Sequence, residues 1–344
     1  MKKATSLDIA HLARVSQSTV SRALRNSPLV NPDTRRRVQD IARQLNYKVD
    51  VNARNLRSMK TNTIALLLCE DPGGGAAQIN PFFLSILGSV AHAVARRGYD
   101  LLVSFQQLSE DWQADYEHAN RADGIILLGY GNYNDYLKKI SELEQAEAHF
   151  ITWGPVIPGQ PGLFIGCDNR KGGYQATERL IAAGRRHIGF VGEISDGCPE
   201  FRDRFRGYRQ ALEAAGLNAD AALQIDGESS EKDGHRAALQ LLESGRPFDA
   251  LVCASDLLAI GAISALRHAG HRVPDAVSVI GFDDIPTAAH MTPALTTVRQ
   301  DTVEAGQVLV EKLLQLIAGK PVDSMLLPTE LIVRESCGGP ADQR

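Results

Sequence analysis

Five hydroxyl or amide side chains and one arginine follow one another between Ser16 and Arg22, in the segment ARVSQSTVSRAL. An amide or a guanidinium group can form paired hydrogen bonds with the edge of adenine or guanine, and hydroxyl groups bond to bases or phosphates. The segment otherwise has the apolar spacing of one short amphipathic helix. We interpret this polar helix start as a surface that reads nucleic acid; the alternative is an ordinary capped helix on a protein surface.

The neighbouring residues predict a first helix just before this segment. The sequence TSLD at 5–8 fits a capping box with Thr5 as the N-cap, so a helix should run from about residue 6 to 13. Its buried side is expected to carry Leu7, Ala10 and Leu12. After a short turn, Ser16 can cap a second helix that ends at Leu24.

A third helix completes the pattern. Asn31 is a favourable N-cap, Pro32 fits the first turn, and apolar residues recur at helical spacing between Val38 and Leu45. Three short helices with so tight a connection predict a helix-turn-helix, whose second helix enters the major groove with its N-terminus first. The outward residues of that helix are then Gln17, Ser18, Ser21 and Arg22.

The net charge of −4 hides an asymmetry along this chain of 344 residues. Residues 1–60 carry 13 lysine and arginine residues against 4 aspartates, a net +9, whereas the remaining residues sum to −13. A basic segment of this kind is typical of nucleic-acid binders, because each neutralised phosphate releases counterions. A solvated basic surface is the alternative interpretation.

The composition predicts a globular protein with at least two sizeable cores, since 44% of the residues are hydrophobic and 23% are charged. No run reaches the roughly 18 apolar residues of a membrane span, and the N-terminal stretch lacks the apolar core of a signal peptide. We therefore expect a cytoplasmic, nucleoid-associated protein without a membrane partner. Five scattered cysteines without C-x-x-C spacing indicate reduced thiols and neither a metal site nor a disulfide framework.

A short basic segment at 48–63 separates the head, residues 1–49, from the rest of the chain. In a helical turn Ala53 and Leu56 would share one face, but a helix this short is marginal in water and would form only against a partner. Paired helices in a minor groove would insert Leu56 as an apolar wedge while arginines such as Arg57 hold the backbone. Away from DNA, a disordered basic linker is the alternative.

From residue 61 onward, short apolar runs alternate with helical segments, which is typical of parallel strands buried on both faces. The runs form two series, the first at 63–69, 99–105, 123–129 and 148–153 and the second at 163–167, 187–192, 249–254 and 278–282. We therefore predict an α/β fold in which the helix-turn-helix and hinge helix precede two doubly wound parallel-sheet lobes. Ligands of such lobes bind beyond the carboxyl ends of the strands, so the cleft between the lobes is the expected site.

Five segments, in this order, resemble the LacI/GalR family of bacterial transcriptional regulators. They are the head from SLDIAHLARVSQSTVSRAL to RQLNY, the hinge NARNLRS, and three body segments that begin DNRKGG, SDLLAIG and VSVIGFDD. The resemblance runs from about residue 5 to 336. It implies a homodimer whose heads bind a pseudo-palindromic double-stranded operator, and a body that resembles periplasmic sugar-binding proteins.

The resemblance also implies a domain organisation in which the body chain crosses between its lobes more than once. The expected parts are the helix-turn-helix at 1–49, the hinge at 50–60 and the effector-binding and dimerisation body at 61–339, with a first lobe of about 61–157 plus 293–322 and a second of about 158–292 plus 323–339. The expected function is that of a repressor of carbohydrate-utilisation genes, released from its operator by a small sugar between the lobes. A regulator activated by a nucleoside or purine co-repressor is the alternative.

Motif matching onto the family assigns roles to individual residues. It implies base contacts for Gln17, Ser18 and Arg22, backbone contacts for Thr5, Ser16, Ser21, Asn31 and Thr34, and minor-groove contacts for Ala53, Leu56 and Arg57. In the body it implies effector contacts for Arg204, which precedes Gly207 in an R-x-x-G motif, for Ser255 in CASD and for Asp283 in GFDD.

The residue types in the body fit a sugar site. Arg204 supplies hydrogen-bond donors and Asp283 supplies acceptors, a combination that suits vicinal hydroxyls, although a salt bridge between the lobes is the alternative. Phe82, Phe83 and Trp153 lie at or just after predicted strand ends, where they could stack on a sugar face or simply pack the cleft wall.

Two other classes of protein fit the sequence less well. An enzyme is disfavoured because no phosphate-binding glycine motif, no nucleophile elbow and no histidine spacing for a metal occurs, so we expect no catalysis, cofactor or metal. A secreted sugar-binding protein of the same body fold is disfavoured by the basic head and by the missing signal-peptide pattern.

Overall fold

The computed structural model of the chain describes residues 4–47, 60–69, 79–108 and 110–338. The chain divides into two compact units, one that ends at Thr61 and contains the head, and one that begins at Asn62 and forms the body. Within the described ranges, no helix is both long enough and apolar enough to cross a membrane.

The head consists of three helices, α1 (Ser6–Ala13), α2 (Gln17–Leu24) and α3 (Pro32–Gln44). All three begin at the predicted caps: the Thr5 side chain forms a capping box with Asp8, Ser16 accepts from the Thr19 amide, and Asn31 accepts from the amide of Asp33. These side chains satisfy amides that have no partner within their own helix. The predicted helices of the head are thus confirmed.

The core of the head differs from the expectation for α1. Ile9, Ala10 and Ala13 are buried, whereas Leu7 and Leu12 are 63% and 56% exposed. Successive residues of a helix are about 100° apart, so once Ile9 and Ala13 face inward, Leu7 and Leu12 must lie toward the sides. The expected burial of the two leucines is therefore wrong. Helical spacing was compatible with burial of either face of α1, so it did not identify the buried one. Other buried residues of this core are Val20, Ala23, Val30, Val38 and Ala42.

The body contains two six-stranded sheets, each of which forms the centre of one lobe. The first sheet has the order β11-β5-β4-β3-β1-β2, with β1 at Thr63–Leu68, β2 at Asp100–Phe105, β3 at Gly124–Leu128, β4 at Phe150–Trp153, β5 at Phe164–Cys167 and β11 at Met325–Leu327. The second has the order β12-β10-β9-β8-β6-β7, with β6 at Ile188–Val191, β7 at Gln224–Ile225, β8 at Ala250–Cys253, β9 at Ser278–Asp283, β10 at Thr296–Gln300 and β12 at Thr329–Ile332. Among the described strands only β10 and β12 pair in the antiparallel sense.

Helices cover the sheets, as the alternating pattern predicts. In chain order they are α4 (Pro81–Arg96), α5 (Tyr133–Gln145), α6 (Asn169–Ala182), α7 (Pro199–Ala214), α8 (Glu231–Glu243), α9 (Asp256–His268) and α10 (Thr302–Ile317). The central strands β3, β4, β8 and β9 are buried at every position, which explains why they are apolar runs without alternation. The predicted doubly wound α/β architecture is confirmed.

Three strands, β5, β10 and β11, belong to the lobe opposite to the expected one. β5 pairs with β4 through Thr152 and Phe164 and also with β11, so it lies in the first sheet. β10 pairs with β9 through Thr296 and Ile280 and also with β12, so it lies in the second sheet. Apolar runs predict strands but carry no information on which neighbours they will hydrogen-bond, so the expected lobe assignments of 158–167, 293–300 and 323–327 are wrong.

Within the described residues, the chain crosses from one lobe to the other at three places: after Cys167, after Gln300 and between Leu327 and Thr329. Aspartates stand at the first two crossings, where Asp168 and Asp301 cap α6 and α10. The amide of Asp168 also donates to the carbonyl of Leu327 at 3.1 Å, which joins the first crossing to the third. The lobes are therefore linked by short, capped connections that lie side by side.

Glycines allow α6 and α7 to pack with their backbones in close contact. A Cβ atom at Gly207 would lie 2.0 Å from the carbonyl oxygen of Arg170, and one at Gly173 would lie 2.1 Å from the carbonyl oxygen of Arg204. Neither distance is tolerated between non-bonded atoms. Gly207 of the R-x-x-G motif is thus required for the approach that sets the position of α7.

We predict that Gly207→Ala destabilises the body, since the methyl group meets backbone atoms that cannot rotate away. Overpacking of this kind costs roughly 1–3 kcal/mol. Gly88→Ala is the matched control, because Gly88 lies inside α4 with no atom within 4 Å of the added Cβ, and alanine favours a helix over glycine. Urea unfolding should give a lower midpoint for Gly207→Ala and an unchanged or higher one for Gly88→Ala. Equal midpoints for both variants would contradict the close approach.

Candidate nucleic-acid interface and ligand cleft

The polar start of α2 is on the surface of the head. Gln17, Ser18 and Arg22 are exposed and Ser21 is half-buried. Ser18 and Arg22 lie four residues apart, as do Gln17 and Ser21, so each pair shares a face of the helix. The amide of Gln17 donates to the Ser6 hydroxyl at 2.8 Å, and the hydroxyls of Ser18 and Ser16 are hydrogen-bonded at 2.8 Å. The side chains of Gln17 and Ser18 are thus hydrogen-bonded within the head itself.

Four of the five residues assigned to phosphate contacts lie at helix starts, whereas Ser21 lies in the second turn of α2. Thr5, Ser16 and Asn31 are N-caps, and Thr34 lies in the first turn of α3. Amides of a first helical turn are suited to phosphate oxygens, because they lack partners within the helix and carry the positive end of its dipole. The hinge residues Ala53, Leu56 and Arg57 lie outside the described residues.

A cleft with a volume of about 470 Å³ lies between the two lobes of the body. The first lobe contributes Cys69 after β1, the start of α4 and the segments after β3 and β4. The second contributes the start of α7, Glu193 after β6, Glu228 after β7 and the carboxyl ends of β9 and β10. Strand ends of both sheets thus face this cleft, which is the position predicted for a ligand site.

Arg204 of α7 is buried at the base of the polar side of the cleft, with 5% of its surface exposed. Its Nε donates to Asn169 at 2.7 Å, one of its terminal nitrogens donates to the carbonyl of Ala254, and the same nitrogen is 3.5 Å from Asp283. The guanidinium carbon also lies 3.7 Å from the ring centre of Phe282. The predicted pair of Arg204 and Asp283 is therefore in contact, within the second lobe.

Asp283 ends β9 with an unusual backbone, since its φ of 114° lies in a region that favours glycine. The side chain is 7% exposed, and its Oδ1 accepts from the amide of Gln300 at 2.6 Å. Burial raises the pKa of Asp283 to about 6, although Arg204 and Gln300 partly oppose this increase. The surrounding residues must therefore hold both the strained backbone and the buried carboxyl group of Asp283 in place.

Three aromatic rings form an apolar wall on the first-lobe side of the cleft. Phe82 and Trp153 have ring centres 6.0 Å apart, and Phe83 lies 5.5 Å from Phe82. Phe82 and Trp153 are 5% and 6% exposed, so most of each ring is used for packing and only an edge or part of a face can contact a ligand. The cleft thus has an aromatic wall from one lobe and a polar wall with Arg204 and Asp283 from the other.

Ser255 does not line the cleft among the described residues. It is the N-cap of α9 and accepts from the amide of Leu258, and its hydroxyl is 2.9 Å from that of Ser229, which does line the cleft. The motif match therefore identified a residue that does not line the cleft but contacts a residue that does. A serine that follows a strand and precedes a helix has two possible roles, and here the helix cap takes its side chain.

Several cleft residues were not identified from the sequence. They are Asn80, Tyr130, Asn132, Asn169, Glu193, Glu200, Phe201, Glu228, Ser229 and Gln300. Tyr130, Asn169, Glu193 and Glu228 each follow within a few residues of a strand, so a systematic search of strand ends would have found them. Gln300 was missed because its strand was assigned to the other lobe.

We predict a pH-dependent effect of Asp283→Asn on stability. A carboxyl group whose pKa rises from 3.8 to about 6 on folding costs stability once it ionises, so the wild type loses stability as the pH rises through this interval. The unfolding free energy of Asp283→Asn minus that of the wild type should increase by roughly 1–3 kcal/mol between pH 4 and pH 7, and then level off. Urea unfolding across this range measures the difference. A flat profile would show that the carboxyl group titrates normally.

Comparisons with known proteins agree with this architecture. Residues 5–50 match the model of bacterial regulatory proteins of the lacI family, and residues 177–337 match that of the periplasmic binding protein-like domain. The transcriptional regulator CelR of Thermobifida fusca is 33% identical over 334 residues, which cover 95% of this chain and 96% of CelR. The regulator RegA of Clostridium saccharobutylicum is 33% identical over 341 residues, covering 97% of this chain and 99% of RegA.

Solved structures agree as well. A CelR–cellobiose complex superposes with a TM-score of 0.72 at 31% identity, covering 97% of this chain and 99% of that one. A lac repressor dimer bound to operator and to the anti-inducer ONPF superposes with a TM-score of 0.83 at 25% identity, covering 98% and 99% of the two chains. The head has three capped helices, the body has two lobes around a polar and aromatic cleft, and the relatives match along nearly their whole length. The chain therefore belongs to the lacI family of bacterial transcriptional regulators.

Proposed function

We propose that the protein is a repressor of carbohydrate-utilisation genes that leaves its operator when a small sugar binds between the two lobes of its body. We infer the class of ligand from the division of the cleft into an aromatic wall and a polar wall. A sugar ring has apolar C–H faces and a rim of hydroxyls, so it can contact both walls at once. The sugar bound to the relative CelR supports the same class of ligand.

The head acts on double-stranded DNA through α2. Gln17, Ser18 and Arg22 contact base edges in the major groove, because they are exposed donors of α2, the first two at its start and Arg22 one turn later. The backbone contacts come from Thr5, Ser16, Ser21, Asn31 and Thr34. The proposed minor-groove contact of Ala53, Leu56 and Arg57 rests on the sequence pattern alone.

The protein works as a homodimer on a pseudo-palindromic operator, since the relative of known structure with bound operator is a dimer. Two copies of one head place two identical reading helices on two half-sites. Operator binding locates the protein in the cytoplasm, on the nucleoid. The cleft serves to bind an effector and not to catalyse a reaction.

We predict that Arg22→Ala lowers operator affinity by roughly 1–3 kcal/mol and relaxes the preference at one base pair, because a guanidinium group that pairs with a base edge carries sequence information. Thr34→Ala is the control: a lost phosphate contact weakens binding to every sequence by a similar factor. Gel-shift titrations on operator variants and on random DNA measure both. If Arg22→Ala loses no more affinity for the operator than for random DNA, Arg22 does not read a base.

We predict that Asp283→Ala binds operator as the wild type does but no longer responds to the sugar. Each lost hydrogen bond to a charged group weakens sugar binding by about 1.5–3 kcal/mol. Asp135→Ala is the matched control, since it removes an exposed carboxyl group of α5 that pairs with Lys138 and does not line the cleft. Calorimetry with a panel of sugars and nucleosides, followed by operator titration, measures both properties. Undiminished sugar affinity in Asp283→Ala would place the site elsewhere, and a response to nucleosides alone would replace the proposed ligand class.

A further inference from the structure

The two lobes contact each other across the cleft through a few polar pairs. In each pair one partner belongs to the first lobe and the other to the second. Among the described residues these pairs include the hydroxyl of Tyr130 with the carboxyl group of Glu200, the side-chain amide of Asn80 with the hydroxyl of Ser229 at 3.2 Å, and the backbone amide of Tyr133 with the carbonyl of Gly197 at 3.2 Å. These contacts exist only while the lobes are close together.

The first-lobe half of the Tyr130 contact is rigid. Tyr130 follows β3 and stacks on the ring of Tyr136 in α5, with ring centres 5.5 Å apart, and it lies 5.3 Å from the ring of Tyr133. Tyr136 and Tyr133 are buried in the core of the first lobe. The phenol group therefore moves with that lobe as a unit.

The second-lobe half lies at the start of α7. Glu200 is in the first turn of this helix, and Arg204 follows one turn later on the same helix. The loop before the helix comes so close to the first lobe that a Cβ atom at Gly197 would lie 2.8 Å from the side-chain nitrogen of Asn132. Any rotation of the second lobe away from the first would separate Glu200 from Tyr130.

We propose that Tyr130 and Glu200 form a latch between the lobes, made when the cleft is closed and broken when it opens, and that closing the latch takes up a proton. The two are positioning residues: they set the balance between open and closed lobes, and through it the conformation that a ligand finds. The latch acts in the free protein, whichever effector binds in the cleft.

The proton belongs to Glu200. Burial raises the pKa of Glu200 to about 7 in the closed arrangement, and the nearby Arg204 opposes this increase while Asp203 adds to it. Opening would return the carboxyl group to water and to its ordinary pKa of 4.5. Tyr130 contacts it from the first lobe, and the second lobe contributes Glu193, Cys198 and Glu228 to the lining of the same cleft. None of these supplies a free positive charge to hold Glu200 ionised.

The sign of the pH dependence follows from this difference. The closed state binds the proton more tightly than the open state, so closing is favoured at low pH and becomes weaker as the pH rises from about 4.5 to about 7. One proton changes the closing equilibrium by at most about tenfold per pH unit. Above about pH 8 the carboxyl group is ionised in both states, and the dependence ends.

Hydrogen exchange of the free, full-length protein tests the proposal. The amide of Tyr133 donates across the cleft to Gly197, so its protection reports the closed fraction directly. Three variants are compared with the wild type at each pH between 5 and 8, where the intrinsic exchange rate of this amide is the same for all of them. Tyr130→Phe removes the donor, Glu200→Gln keeps an acceptor that cannot ionise, and Ser229→Ala removes a second side-chain contact between the lobes without changing a titratable group.

We expect Tyr130→Phe to exchange this amide roughly fivefold to tenfold faster than the wild type, since a hydrogen bond to a charged or buried acceptor is lost. The protection of the wild type relative to Glu200→Gln should fall as the pH rises from 5 to 7 and flatten toward pH 8. Ser229→Ala should lose protection but keep the pH dependence of the wild type. Wild-type protection in Tyr130→Phe would overturn the latch, and the same pH dependence in Glu200→Gln as in the wild type would overturn its link to a proton.

Discussion

The buried guanidinium group of Arg204 is the interaction on which the cleft depends. A charge with so little exposure is tolerated only where hydrogen bonds and an opposite charge compensate for lost water. Arg204 obtains these from Asn169 at the start of α6, from the carbonyl of Ala254 after β8 and from Asp283 at the end of β9. One side chain thus connects the segments that follow β5 and β8 with the end of β9. The glycine contact between α6 and α7 brings it within reach of all of them.

Asp283 depends on the same interaction: burial makes its carboxyl group hard to ionise, and Arg204 partly offsets this effect. Its backbone has a φ of 114° and its carboxyl group is buried, yet Arg204 and Gln300 hold it in place. Strain of this kind persists where the surrounding structure determines it, and it is common at ligand sites. A ligand that donates hydroxyl groups to this carboxylate would supply hydrogen bonds that the cleft itself provides only in part.

The connections between the lobes determine how a ligand can act. Three adjacent crossings join the lobes, and each consists of only a few residues, so the lobes can rotate about one line. A ligand shifts such an equilibrium only by its difference in affinity for the two arrangements. Because the aromatic wall and the polar wall belong to different lobes, a small ligand contacts both only when the cleft is closed. Closure and binding are therefore coupled by the geometry of the cleft.

Local features of the protein were determined by the sequence alone, whereas long-range pairing was decided only by the tertiary structure. Thr5, Ser16 and Asn31 capped the predicted helices, because capping involves residues only two or three positions apart. The strands were evident from apolar runs for the same reason, since burial on both faces leaves a continuous pattern. Apolar character could not assign β5 and β10 to a sheet, because hydrogen-bonded neighbours come from distant parts of the chain. Likewise Tyr130 and Glu200 meet across the cleft from positions 70 residues apart, which no local pattern encodes. Local physics thus determined the elements, and the pairing of distant strands and helices determined which side chains share the cleft.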